Sequence, residues 1–184
     1  HTMKIVILDR DGVINQDSDA YIKNSKEWIP INGSIQAIAD LSIAGFKVVV
    51  ATNQSGLGRK LFSNDDLTSI HCKLRELVGR AGGQISGIFY CPHLPSDHCN
   101  CRKPKTGLLE KIEQEFQCSL KASPFIGDSV RDIQAALSHG CRPTLVKTGN
   151  GNTALTELER LGVDDFDVFK NLAEAAKSII SGIK

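Results

Sequence analysis

The 184-residue chain has no apolar run long enough to cross a bilayer, and its N-terminus lacks the charged, apolar and small-residue regions of a secretory signal. Charge of one sign is missing too. Against 21 acidic residues stand 22 basic ones, a net charge of +1, which removes the electrostatic reason to expect nucleic acid or an anionic membrane as a main partner. There is no internal repeat, linker or low-complexity tract, and six cysteines are too few to staple a chain of this length with disulfides. These absences point to a cytoplasmic protein forming one domain over residues 3–184, a monomer by default. A chain of this size buries about two thirds of its unfolded surface without help from disulfides. His1-Thr2 ahead of Met3 read as residues left by expression.

What the chain does have is a β-rich run, Lys4-Ile5-Val6-Ile7-Leu8, closed by Asp9 and Asp11 and followed at once by Gly12. A buried parallel strand there would deliver two carboxylates to the carboxyl edge of an α/β sheet, the edge at which such sheets bind ligands. A solvated Asp-Gly turn is the plain alternative. Further apolar strand patterns lie at 46–51, 87–91, 124–126 and 144–146, and helical patterns at 34–43, 65–81, 106–116, 130–138, 152–161 and 171–180. Ser63 with Asp66 three residues on reads as an N-terminal capping box. The alternation predicts an α/β protein, a Rossmann-like three-layer α/β/α parallel sheet with right-handed crossovers. The intervals after the first and second strands are filled by ordinary sheet and helix patterns, so no separate cap domain is expected.

In a parallel sheet all strand tips open on one edge, and here they carry complementary chemistry. The second strand runs into Thr52-Asn53-Gln54-Ser55-Gly56, hydroxyl and amide donors suited to phosphate oxygens. The fourth runs into Gly127-Asp128-Ser129, with Asp132 at helical spacing, and Arg102-Lys103-Pro104 precedes a helix start. Between the third strand and that helix, Cys91, His93, Cys99 and Cys101 form two short ligand pairs, a three-thiolate, one-imidazole set of the kind that holds structural Zn2+ with no open position. His98 adjoins Cys99 too closely to serve beside it, and a disulfide is the alternative that a reducing compartment disfavours. Cys72, Cys118 and Cys141 are read as packing residues.

Asp9-Arg10-Asp11-Gly12, Thr52-Asn53, Lys103 and Gly127-Asp128, in that order, resemble the four motifs of the haloacid dehalogenase (HAD) superfamily of aspartate-based phosphatases. More narrowly, Asp9 to Asn15, Thr52 to Gly56 and the Cys/His loop running into Cys101-Arg102-Lys103-Pro104 are similar to its heptose-bisphosphate phosphatase branch, a likeness covering the chain from Met3. The histidinol-phosphatase branch shares most of these motifs and is the runner-up. The resemblance implies a hydrolase working on a small phosphorylated sugar in the synthesis of lipopolysaccharide core precursors. It implies Asp9 as a nucleophile that is transiently phosphorylated and Asp11 as the acid that protonates the leaving oxygen and then activates water. Thr52 and Lys103 would stabilise the transferring group. Mg2+ would sit on Asp9, Asp128 and the Asp11 backbone carbonyl. Asp17, Ser18, Tyr21, Asn53, Gln54 and Ser55 would contact substrate, and Arg102 is expected to bind a second phosphate through its guanidinium fork. Arg10 is expected to point away from the phosphoryl group and to be structural, and Arg59 is read either as reaching the substrate from the loop after Gly56 or, in preference, as facing solvent. Asp132 is read either as a residue orienting Lys103 or Ser129 or as a helix-surface carboxylate. Ser129 stands where some members have lysine, and no phosphate contact is expected from it.

Physics explains why such groups belong together. A carboxylate approaching a phosphate dianion to about 4 Å meets roughly 8 kcal/mol of repulsion at an effective dielectric of 20, which a divalent cation and a fixed lysine must offset. A receiver-like signalling module that accepts a phosphoryl group uses similar residues. It would carry the accepting aspartate on the strand that here ends in Thr52-Asn53, and it has no place for the Cys/His loop.

Overall fold

Strand β1 (Ile5–Leu8) is buried along its whole length because both of its faces are covered. The computed structural model describes residues 3–182 and sets β1 inside a six-stranded, all-parallel sheet. On one side lie β2 (Lys47–Asn53) and then β3 (Ile85–Cys91); on the other lie β4 (Pro124–Gly127), β5 (Arg142–Val146) and β6 (Asp167–Phe169). The strand order 3-2-1-4-5-6 reverses direction between β1 and β4, and crevices of open α/β sheets form at the carboxyl ends of such strands. The proposed His1-Thr2 leftover lies outside the described residues.

The period-2 alternation of side chains sorts the strands between two cores. Val6, Leu8, Val48 and Val50 face a cluster built with α1 (Ser34–Ile43), α3 (Asn64–Arg80) and α7 (Leu172–Ser181). Ile5, Ile7, Val49, Ala51 and Phe125 face the other side, against α4 (Gly107–Phe116) and α5 (Val130–His139). A smaller cluster joins α5 to α6 (Gly151–Arg160) through Ile133, Ala154 and Leu158. Helices therefore cover both faces, and the expected three layers are present. Between β1 and β2 the chain builds α1 and the loop before it; between β2 and β3 it builds the one-turn α2 (Ser55–Gly58) and α3. Neither interval makes a cap.

The expected helices begin within one residue of the observed ones. The box at the start of α3 is reciprocal, with Ser63 Oγ accepting from the Asp66 amide at 3.1 Å and Asp66 Oδ2 accepting from the Ser63 amide at 2.9 Å. Several features differ, among them β3 and β5, which begin two residues before their expected starts. Strand β2 runs two residues further than its apolar stretch, because Thr52 and Asn53 keep pairing with Tyr90 and Cys91. Both β6 and α2 escape the sequence pattern: one is three residues long at an exposed edge, and the other has two glycines in four positions. Cys72 is not a packing residue, since its place on α3 turns it to solvent, whereas Cys141 is buried and Cys118 half-buried against the second core.

Candidate active site

The tips of β1, β2 and β4 and the segment after the Cys/His loop close around one cleft of about 210 Å³. Asp9, Asp11, Asp17, Ser18, Tyr21, Thr52, Asn53, Gln54, Ser55, Arg102, Lys103 and Asp128 all line it. Asp9 continues the ladder beyond β1, its amide donating to Ile126 O at 2.9 Å, which fixes its carboxylate at the junction of β1 and β4. Gly12 (φ 84°) and Gly149 (φ 55°) let Asp128 come close: a Cβ would stand 2.0 Å from Asp128 Oδ2 at the first and 2.3 Å at the second. The Asn150 amide donates to that same oxygen at 2.9 Å.

Lys103 is the buried cation of the site. Its Nζ donates to Ala51 O (2.9 Å) and to Asp132 Oδ1 (2.6 Å) and pairs with Asp9 Oδ1 at 3.0 Å. Burial alone would lower its pKa, but Asp132 and Asp9 raise it above the ordinary lysine value and keep it charged. Asp132, 1% exposed, is not a surface carboxylate; it also accepts from Ser129 Oγ and the Asp128 amide, at 2.9 and 3.2 Å. Burial opposes its ionisation, yet Lys103 holds its pKa down. Asp9 goes the other way: burial and the negative charge of Asp132 raise its pKa well above the usual range against the pull of Lys103. Asp128 is pushed up to about 7 by burial and by Asp132. Asp9, Asp128 and Asp132 bring carboxylate oxygens within 4.8 Å of one another, more negative charge than one lysine offsets.

Asp11 sits in a different environment. Arg10 does not line the cleft and is structural: fully buried, it donates Nε and Nη2 to Asp11 Oδ1 at 2.9 and 2.8 Å, while its Nη1 lies 3.2 Å from His71 Nε2. Asn15 adds a donor to Oδ1 at 2.9 Å and Gln54 one to Oδ2 at 3.0 Å. Burial would raise the Asp11 pKa, but Arg10, Asn15 and Gln54 together bring it below the ordinary value. Burial and the Arg10 charge drive His71 down to about 3, so it stays neutral. The Asp11 carboxylate is thus engaged by donors and stands apart from the other three acids.

Of the residues expected to contact substrate, two are occupied in holding the site. Gln54 also donates to Thr52 Oγ1 at 2.9 Å, so it ties Thr52 to Asp11. Asn53 accepts from the Lys103 amide (3.0 Å) and donates to Lys103 O (3.1 Å), pinning that segment to β2. Asp17 accepts from Asn150 Nδ2 at 3.2 Å, and Tyr21 takes φ 68°, an uncommon conformation for an aromatic residue. Arg59 is exposed and outside the cleft. His71, Asn150 and Arg131 carry no signal in the sequence, whereas Asn15 closes the first motif, Asp9 to Asn15.

Below the cleft, Cys91 ends β3 and its carbonyl accepts the Gln54 amide at 2.8 Å, so the Cys/His loop starts beside the catalytic edge. Cys91 Sγ lies 2.8 Å from Cys101 Sγ, 3.6 Å from Cys99 Sγ and 3.5 Å from His93 Nδ1. No disulfide links the described cysteines, and His98 is exposed and outside this cluster. Burial pushes the Cys91 thiol up to about 12, whereas hydrogen bonds from the Arg102 amide and neighbouring thiols outweigh burial at Cys99 and bring it down to about 6.

A doubly wound parallel sheet whose β1 and β4 tips hold paired acids, with a buried lysine and a threonine between them, defines the class of HAD-like hydrolases. A family model described as HAD-hydrolase-like matches residues 100–175. Curated relatives cover nearly the whole chain. A D-glycero-beta-D-manno-heptose-1,7-bisphosphate 7-phosphatase of Pseudomonas putida is 50% identical over 97% of this chain and all of that protein. Its counterpart in Neisseria meningitidis serogroup A is 47% identical over 97% of this chain and 95% of that one. A crystal structure of the D,D-heptose 1,7-bisphosphate phosphatase from B. bronchiseptica, complexed with magnesium and phosphate, superposes with a TM-score of 0.94 at 46% identity, covering 98% of this chain and 100% of that one. The chain belongs to the heptose-bisphosphate phosphatase family of HAD-like hydrolases.

Proposed function

We propose that this protein hydrolyses the 7-phosphate of D-glycero-D-manno-heptose 1,7-bisphosphate to leave the heptose 1-phosphate, a step toward the ADP-heptose precursor of the lipopolysaccharide core. The observation that carries the reading is the meeting of Asp9, Asp11, Thr52, Lys103 and Asp128 in one cleft of a chain about half identical to enzymes of that name. Three clustered carboxylates against a single lysine leave negative charge that suits a hard divalent cation, and Asp9 and Asp128, with the Asp11 carbonyl, are the donors we assign to Mg2+. Asp132 is committed to Lys103 and is not counted among them. When bound, the ion lowers the repulsion between Asp9 and phosphate and polarises the phosphoryl oxygens.

The chain's own residues then divide the work. An Asp9 oxygen attacks phosphorus in line with the sugar oxygen, and the P–O bond to the sugar breaks as Asp11 delivers a proton to that oxygen. Arg10, Asn15 and Gln54 favour ionised Asp11, so it takes up its proton beside the incoming phosphate, whose negative charge raises its pKa. Lys103 and Thr52 stabilise the charge on the equatorial oxygens. Asp11 next takes a proton from water, the water oxygen attacks the aspartyl phosphate, and inorganic phosphate leaves with Asp9 restored.

We assign structural Zn2+ to Cys91, His93, Cys99 and Cys101, whose donor atoms lie within 4.8 Å of one another and leave no open position for catalysis. Unpaired cysteines support a reducing compartment, the cytoplasm, and we take the protein as a monomer acting on a small phosphorylated sugar. No described helix is long and apolar enough to cross a membrane. Phosphate release from the heptose bisphosphate and from histidinol phosphate, each with magnesium and with Asp9→Asn as control, tests the reading. A decisive preference for histidinol phosphate, or turnover surviving in Asp9→Asn, would overturn it.

A further inference from the structure

His71 is buried on α3 and does not line the cleft, yet it reaches across 61 positions of sequence to the first motif. Its Nε2 lies 3.2 Å from Arg10 Nη1. A guanidinium has only donors to offer, so Nε2 accepts and the ring proton stands on Nδ1. Burial, with the Arg10 charge beside it, holds the ring uncharged and keeps that lone pair available. Arg10 is thereby fixed through all three of its nitrogens: Nε and Nη2 are on Asp11 Oδ1, and Nη1 is on His71. An apolar residue in place of His71 would leave a buried donor unmet and one end of the guanidinium free to tilt.

The two oxygens of Asp11 are not treated alike. Oδ1 takes three donors, Arg10 Nε and Nη2 and Asn15 Nδ2, at 2.8 to 2.9 Å, whereas Oδ2 takes one, Gln54 Nε2 at 3.0 Å. Gln54 goes on to Thr52 Oγ1 at 2.9 Å, and both of these residues line the cleft, while Arg10 and Asn15 do not. Oδ2 is therefore the oxygen on the substrate side, and it alone has a lone pair to spare for a proton. We propose that His71 is a positioning residue for the acid step: by accepting from Arg10 it pins the guanidinium onto Oδ1 of Asp11, so that Oδ2 is the oxygen aimed at the leaving group. This inference rests on the reading of Asp11 as the acid that protonates the leaving sugar oxygen. Because His71 touches neither phosphate nor the sugar side of the cleft, its loss acts through the aim of Asp11, a geometric demand to which proton transfer is sensitive.

The test compares kcat/KM for heptose 1,7-bisphosphate and for p-nitrophenyl phosphate in the magnesium- and zinc-loaded enzyme. Nitrophenolate departs without needing a proton, so a misaimed Asp11 slows the release of the sugar and spares that of the phenolate. His71→Leu, which fills the space but offers no acceptor, is expected to lower kcat/KM for the bisphosphate about tenfold, through kcat with KM unchanged, and for p-nitrophenyl phosphate by less than about twofold. His71→Gln, whose amide oxygen can accept from Arg10, should recover most of the loss. Long-range proton–nitrogen NMR spectra of the wild-type protein should place the His71 proton on Nδ1. Equal losses on the two substrates, or none on either, would overturn the proposal and leave the phosphatase reading standing. A proton on Nε2 would do the same, and that result can be read even where His71→Leu does not fold. A wild-type enzyme that leaves the bisphosphate unhydrolysed would overturn the functional reading and this inference with it.

Discussion

Lys103 Nζ stands 2.6 Å from Asp132 Oδ1, closer than the 3.0 Å that separates it from Asp9 Oδ1. The ammonium is therefore held first by a carboxylate on α5 and only second by Asp9, so its position is set within the protein itself. Removing Asp132 would leave a buried cation half paired and free Ser129 Oγ and the Asp128 amide of their acceptor. Asp132→Ala should lose about 3–5 kcal/mol of stability in urea unfolding and at least about tenfold in kcat. Asp132→Asn, which keeps an acceptor oxygen, should lose less of both.

Asn53 is expected to act through Lys103 and not on the sugar. Its amide closes a two-bond bridge to the Lys103 backbone, and Asn53→Ala should cost about 1–2 kcal/mol in stability. The kinetic loss should fall mainly on kcat, because a displaced lysine weakens stabilisation of the transferring phosphoryl group. A rise confined to KM would show that Asn53 serves the substrate instead.

The acid cluster makes metal-free protein sensitive to pH. Asp128, pushed up to about 7 in the fold, holds its proton there at pH values where the unfolded chain has lost it. The folded state binds more protons between about pH 4 and 7, so stability is full below the unfolded pKa and declines as pH rises through that window. Asp9 shifts in the same direction. Thermal midpoints of chelator-treated protein should therefore fall from pH 4.5 to pH 7.5 relative to protein with magnesium. Parallel curves with and without magnesium would contradict this.

Stripping zinc should lower activity without touching a catalytic side chain. The loop from Cys91 to Cys101 leads directly into Arg102 and Lys103, so loss of its ion loosens the segment that carries both. Cys101→Ser should bind less zinc by elemental analysis and become protease-sensitive near residues 92–100 while β1 to β6 stay folded. Full zinc content in Cys101→Ser would refute the assigned ligand set.

Much of this architecture was legible because strand tips of a parallel sheet share one edge: Asp9, Thr52 and Asp128 could be grouped from the apolar runs that precede them. Lys103 was legible from its place in Arg102-Lys103-Pro104 just before a helix start, while its role on the transferring group came from the resemblance. What stayed hidden depends on contacts distant in sequence. The structural role of Arg10 is legible from its place between two acids, but its partner His71, 61 positions away, is not. The amides of Asn53 and Gln54 read as donors suited to phosphate, whereas their partners within the protein, Lys103 and Asp11, appear only once β2 and its neighbours are in register. Short elements such as β6 and α2 exist through packing, not local propensity.

Since every residue proposed to act on phosphate lies at the same rim of a doubly covered sheet, the opposite rim, where the chain enters each strand, carries none of them. Its turns can accept insertions or altered lengths with little effect on turnover. Exchange of loops on the reactive side, meanwhile, can retune which phosphoester is chosen without disturbing the frame beneath.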